Sequence, residues 1–366
     1  MWPRCVWCCE AVLKDGEKND MKMEIEKKSS VLLIYTGGTI GMKPDPETGV
    51  LAPFDFNTIY EEFPYLGKLG VELQIINLDP IDSSNVTPEL WCELARLIRD
   101  HYDTYDGFVV LHGTDTMSYS ASALSFMLEN LVKPVIFTGS QIPIGVLRTD
   151  GRENLITAVE IAAAYENGRA VVPEVCICFQ NKLFRANRTT KHSAELLNAF
   201  RSDNYPILAE VGVNIHYNRS FIRQVSADSG PLRIVEHLDT RLAVIRLFPG
   251  MGADTFRCML SLPGLRGVIL ETYGSGNAPT AEWFIDAVVD AVARGLVVLN
   301  VTQCPGGSVS EIYETGKRLG QTGVVSGRDI TTESAVTKMM VVLGASDDPA
   351  EVRRQLAADR CGEMTV

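Results

Sequence analysis

The sequence predicts an α/β protein of two domains, with a parallel sheet covered by helices on both faces. Three observations lead there. Short β-branched runs alternate with stretches of helical spacing. The chain has 366 residues, more than one hydrophobic core usually spans. A polar stretch at about 220–240, with Gly230 and Pro231 and no sustained period, interrupts the alternation as a connection between domains would.

Taken in order, residues 1–29 have Arg4 and Glu10 breaking any apolar run, then a Lys/Glu-rich stretch to Lys28. They lack the apolar segment of a signal peptide and read as a flexible tail. Strands are predicted at 31–36, 71–77, 107–112, 134–138 and 173–179. Between them a helix is predicted over 88–102, where Leu90, Trp91, Leu94, Leu97 and Ile98 share one face. Thr87 stands at its N-cap and Pro88 at its first position. After the connection, strands are predicted at 242–247, 267–270 and 296–301, and helices at 280–294 and 331–343. This divides the chain into a tail (1–29), a first domain (30–219), a linker (220–240) and a second domain (241–366).

Composition narrows the function. Hydrophobic residues at 46% and charged residues at 22% supply a core and exclude wholesale disorder. The longest apolar runs, such as 296–299 and 339–343, are strand-sized, far below the roughly 18 residues of a membrane span. A soluble protein is expected, with no membrane partner. Lys and Arg total 34 against 46 Asp and Glu, a net charge of −12 that opposes nucleic acid as a partner. Nine scattered cysteines do not describe a disulfide framework, so a reducing, cytoplasmic setting is expected. Cys5, Cys8 and Cys9 have no partner pair at zinc-finger spacing, and no His/Asp/Glu cluster has metal spacing.

Two turns carry candidate chemistry. The first strand runs into Thr36-Gly37-Gly38-Thr39-Ile40-Gly41, whose glycines permit a tight bend and close approach to a ligand. A dinucleotide loop needs a helix to begin at once, and Pro44 and Pro46 oppose one. The second turn, His112-Gly113-Thr114-Asp115-Thr116, puts two hydroxyls and a carboxylate at another strand end. Read alone, Thr114 or Asp115 is a cap for a helix over 118–130. No Gly-x-Ser-x-Gly elbow is present, and His112 reads as a hydrogen-bonded structural histidine.

Together TGGTIG (36–41), DSS (82–84), HGTDTM (112–117), TGSQIP (138–143), NRTTK (187–191), YGSGNAP (273–279) and TQC (302–304) resemble the bacterial-type asparaginase family, in its intracellular subgroup. The resemblance covers roughly 30–345. It implies a two-domain asparaginase-like α/β fold, with a larger N-terminal domain on a mainly parallel sheet and a smaller C-terminal domain. It also implies hydrolysis of L-asparagine by a threonine nucleophile, with no cofactor and no metal.

Position by position, Thr39 resembles the family's nucleophile, and Thr114, Asp115 and Lys191 its second catalytic group. A threonine hydroxyl is a weak nucleophile unless a neighbour takes its proton, and a suitably placed lysine can do so. Asp82, Ser83 and Ser84 match the segment that holds the α-carboxylate and α-ammonium. Backbone N–H groups of the glycine turn and the Gly113 loop are candidates for holding the oxyanion.

Two departures are visible. Val50 stands where many relatives have a tyrosine beside the nucleophile, and Tyr313 is the expected replacement. Glu271 stands where some intracellular relatives have an arginine in an allosteric site that Thr190, Thr302 and Cys304 otherwise match, so substrate activation is expected to be altered or lost. The resemblance further implies a homodimer or homotetramer, with Asn277 completing a neighbour's site. The alternatives are a glutaminase or D-amino-acid amidohydrolase, a tRNA-dependent amidotransferase subunit, and a catalytically silent asparagine sensor.

Overall fold

A computed structural model describes residues 28–44, 48, 51–53, 64, 66–226, 230–310 and 314–366. Of the expected tail, only Lys28 and Ser29 are among them.

The larger sheet contains β1 (Ser30–Gly37), β2 (Glu72–Ile81), β3 (Gly107–Leu111), β4 (Val135–Thr138), β5 (Val175–Phe179), β6 (Lys182–Arg185), β7 (Ala209–Val211) and β8 (Ile215–Tyr217). Their order is β8-β7-β6-β5-β4-β3-β1-β2. The run from β2 to β5 is parallel, and β6, β7 and β8 add on antiparallel. Because β2 and β3 leave β1 on opposite sides, the strand order reverses there, and ligands of such sheets sit beyond the carboxyl ends at that point.

Sequence alternation explains the layers. Leu32 and Ile34 of β1, with Phe108 and Val110 of β3, face helices α1 (Pro88–Asp100) and α2 (Met117–Met127). Val31, Leu33 and Tyr35, with Val109 and Leu111, face α3 (Gly151–Ala162). Both faces of these strands are buried, which is why they read as unbroken apolar runs. The second sheet, β9 (Leu242–Arg246), β10 (Gly267–Thr272), β11 (Val297–Thr302) and β12 (Val325–Ser326), is wholly parallel. It is covered by α4 (Ala253–Leu260) and α5 (Glu282–Ala293) on one face. Leu319 of α6 (Glu314–Gly320) packs on that same face, and on the other lie α7 (Thr332–Ala345) and α8 (Pro349–Ala357). Val341 of α7 joins the core around α2, tying the two sheets' layers together.

Several expectations change. β2 continues to Ile81 rather than ending at 77; as the edge strand it tolerates Pro80, which a central strand would not. Thr87 holds the N-cap position of α1 but makes no capping hydrogen bond with its side chain. The helix expected over 118–130 stops at Met127; Leu128–Glu129 instead pairs with Arg233–Ile234, inside the expected linker, and Asn130 takes a left-handed φ of 63°. The sheet's antiparallel flank and α3 were not read from the sequence.

Candidate active site

Three loops meet at the carboxyl ends of β1, β2 and β3. A β-carbon on Gly37 would lie 2.3 Å from the Ile81 carbonyl oxygen, and one on Gly38 would lie 2.4 Å from Gly113 Cα. One on Gly113 would come within 2.6 Å of the Ser83 side chain. Backbone therefore packs on backbone here, as only glycine allows, and Gly38 also needs its φ of 85°. Thr39 and Thr114 each follow one glycine of the touching pair. Thr39 opens a three-residue 3₁₀ turn, Thr39–Gly41, that passes into a strand, Met42–Pro44, so no helix N-terminus forms there.

Lys191 arrives from a separate element, the strand Thr190–Lys191 paired with Phe200–Arg201. Its Nζ donates to Thr114 Oγ1 at 2.8 Å and to Asp115 Oδ1 at 2.6 Å. The Lys191 side chain is 15% exposed and that of Asp115 65%, so solvent screens the pair and its main effect is to aim the ammonium. Neither Thr114 nor Asp115 is a helix cap. The N-cap position of α2 is Thr116, and its hydroxyl donates to the Ser83 carbonyl at 2.7 Å, joining two of the three loops.

Asp82 accepts from Ser84 N at 2.8 Å and Ser84 Oγ at 2.7 Å, and these bonds hold its exposed carboxyl below the usual range. Ser83 is buried and Ser84 exposed. Asn277 closes a turn after β10, where its N–H donates to Tyr273 O at 2.8 Å, on the second sheet rather than among the three loops. Tyr313 and Val50 lie outside the described residues.

Behind the site His112 is hydrogen-bonded as the sequence suggested, and the structure adds partners that sequence reasoning missed. His112 faces the Gly113 carbonyl with Nδ1 at 2.7 Å, so that nitrogen carries the proton. Nε2 then accepts from Ser120 Oγ at 2.9 Å, and Ser120 accepts from Trp91 Nε1 at 2.9 Å. Complete burial lowers the imidazole pKa from 6.5 to about 4 and keeps the ring neutral. Ser120 is also fully buried, so this serine–histidine pair supports the Gly113 loop and presents no nucleophile.

Gln141, in the loop after β4, accepts from Thr114 Oγ1 at 3.0 Å and donates from Nε2 to Leu196 O at 3.2 Å. Its N–H donates to both oxygens of Asp150 at 3.1 Å, and Ile142 N donates to Oδ1 at 3.0 Å. The sequence offered TGSQIP as a motif but no role for its glutamine, whose partners stand 27 and 55 residues away.

The expected allosteric residues come together elsewhere. Thr190, Glu271, Thr302 and Cys304 line a cavity of about 280 Å³ with Arg246 and Glu333. Glu271 is paired with Arg246 at 3.2 Å and accepts from Thr332 at 2.7 Å. Thr190, next to Lys191, donates to Glu333, whose carboxyl pKa burial raises. A larger cavity of about 860 Å³, lined by Lys133, Tyr165, Arg169 and Arg223 among others, lies at the opposite strand ends: Tyr165 donates to Asp106 O, just before β3.

Among the described residues no group of three or more His, Cys, Asp or Glu is placed to hold a metal ion, and no helix is long and apolar enough to cross a membrane.

Residues 30–223 match the family model for the asparaginase N-terminal domain, and 241–356 that for the glutaminase/asparaginase C-terminal domain. The chain is 41% identical to L-asparaginase 1 of Escherichia coli (strain K12), over 93% of this chain and 99% of that one. It is 40% identical to the 60 kDa lysophospholipase of Homo sapiens over 94% of its own length, but spans only 63% of the human protein. The crystal structure of L-asparaginase I from Vibrio cholerae superimposes with a TM-score of 0.82 at 37% identity, covering 93% of this chain and 100% of that one. With both domains matched and a relative 41% identical over nearly its whole length, the chain belongs to the asparaginase family.

Proposed function

We propose that the chain hydrolyses L-asparagine to L-aspartate and ammonia through a covalent acyl-enzyme. Thr39 Oγ attacks the side-chain amide carbon, ammonia leaves, and water releases aspartate. Thr114, Asp115 and Lys191 manage the proton, Ser83, Ser84 and Asp82 hold the α-substituents, and N–H groups beside Gly38 and Gly113 stabilise the oxyanion. The observation that carries the reading is the Lys191 ammonium at 2.8 Å from Thr114 and 2.6 Å from Asp115, on the loop that touches Gly38. Similarity to L-asparaginase 1 of Escherichia coli adds to it, and nine scattered cysteines without a disulfide framework favour a reducing, cytoplasmic setting.

The finer expectations belong to the same proposal. Asn277 serves a neighbouring copy in a dimer or tetramer, in keeping with its place on the second sheet. Glu271 occupies Arg246 and adds a carboxylate to the 280 Å³ cavity, which disfavours a ligand carboxylate, so activation by a second asparagine is altered or lost.

A second reading comes from the 40% identity to a protein named 60 kDa lysophospholipase. The same hydroxyl attack would cleave an ester. Ammonia release from L-asparagine, L-glutamine and D-asparagine, beside fatty-acid release from lysophosphatidylcholine, separates these readings. Ammonia from L-asparagine above the others supports the proposal, and fatty acid without ammonia refutes it.

A further inference from the structure

We propose that Gln141 sets amide-over-acid selectivity by fixing which way the Thr114 hydroxyl points. The inference rests on the asparaginase reading. A threonine hydroxyl has one proton and two lone pairs. Leu196 O is a carbonyl and can only accept, so the Gln141 amide must turn its NH2 toward it, which leaves Oε1 toward Thr114. Oε1 also only accepts, so the Thr114 proton is committed to Gln141. In the resting site Lys191 Nζ donates to Thr114 and takes one lone pair. One lone pair remains, and a group meeting Thr114 there must bring its own proton.

A side-chain amide has N–H groups to offer. A carboxylate has none. The substrate asparagine thus makes a hydrogen bond that the product aspartate replaces with two facing acceptors. The device is stiff at its base, because the Gln141 N–H is clamped by Asp150, which is only 5% exposed and also accepts from Asn154 Nδ2 at 3.2 Å. Gln141 acts through Thr114 and is a positioning residue.

The test is the ratio of the inhibition constant of L-aspartate to the KM of L-asparagine in wild type, Gln141→Met and Gln141→Glu. Methionine removes the acceptor, the hydroxyl turns freely and can donate to a carboxylate, and the ratio falls about tenfold or more, the value of one hydrogen bond to a charged group. Glutamate keeps an acceptor toward Thr114 and its negative charge repels the product carboxylate, so its ratio does not fall and rises if it moves, even if loss of the Leu196 bond lowers kcat. A misfolded Gln141→Met leaves Gln141→Glu against Gln141→Leu as the same comparison. An active wild type whose ratio is unchanged in both acceptor-less variants, or falls equally in Gln141→Glu, overturns the inference alone. A wild type that releases no ammonia from asparagine overturns the asparaginase reading and this inference with it.

Discussion

Gly38 and Gly113 touch through their backbones, so closely that a β-carbon on Gly38 would sit 2.4 Å from Gly113 Cα. This contact welds the end of β1 to the end of β3 at the sheet's reversal point, and Thr39 and Thr114, far apart in sequence, each follow one of the touching glycines. The remaining parts of the site hang from that joint. Thr116 ties the Ser83 loop to it, and Lys191 reaches it from outside the sheet.

The His112 imidazole is buried and neutral, with its pKa lowered to about 4. In the unfolded chain it regains a proton near pH 6.5, so the unfolded state binds more protons between those values. Stability is therefore full above pH 6.5 and lost as pH falls toward 4, by about 3 kcal/mol in all. Urea unfolding from pH 4.5 to 7 should show a shallower acid loss for His112→Gln than for wild type; parallel curves would argue against a neutral buried ring.

Lys338 and Glu363 form an ion pair at 2.6 Å with neither side chain exposed, and Lys338 also donates to Leu356 O at 2.9 Å. Removing one partner strands the other charge in the interior. Lys338→Met is expected to destabilise by about 3–5 kcal/mol in urea unfolding. A loss below about 1 kcal/mol would mean that the carboxylate finds enough support from the Arg360 and Cys361 N–H groups alone.

With Glu271 engaging Arg246 in the smaller cavity, the initial rate against asparagine concentration should follow a hyperbola. A sigmoidal curve would show that a second asparagine still binds productively and that Glu271 does not prevent it.

Asn277 lies on the second sheet, and its proposed use by a neighbour requires assembly. Light scattering should give a dimer or tetramer of the 40.2 kDa chain, and Asn277→Ala should lower activity without dissociating it. A fully active monomer would remove the neighbour from the mechanism.

Much of the fold was legible because buried parallel strands are unbroken apolar runs, and β1, β3 and β4 needed no tertiary knowledge to find. The antiparallel flank was not, since β7 and β8 are three residues each and carry no period. Thr87 shows the limit of local rules: the position was right and the capping bond is absent. At the site, motif-bearing Thr39, Thr114, Asp115 and Lys191 stood out, whereas Gln141, Ser120 and Trp91 matter through partners distant in sequence. Such partners carry no local signal.

The most direct test compares ammonia release from L-asparagine by wild type and Thr39→Ala, with thermal unfolding as the control for folding. A nucleophile is not replaceable by its neighbours, so kcat should fall about a thousandfold or more with Tm unchanged. Ammonia release by Thr39→Ala within about tenfold of wild type would contradict attack by this threonine.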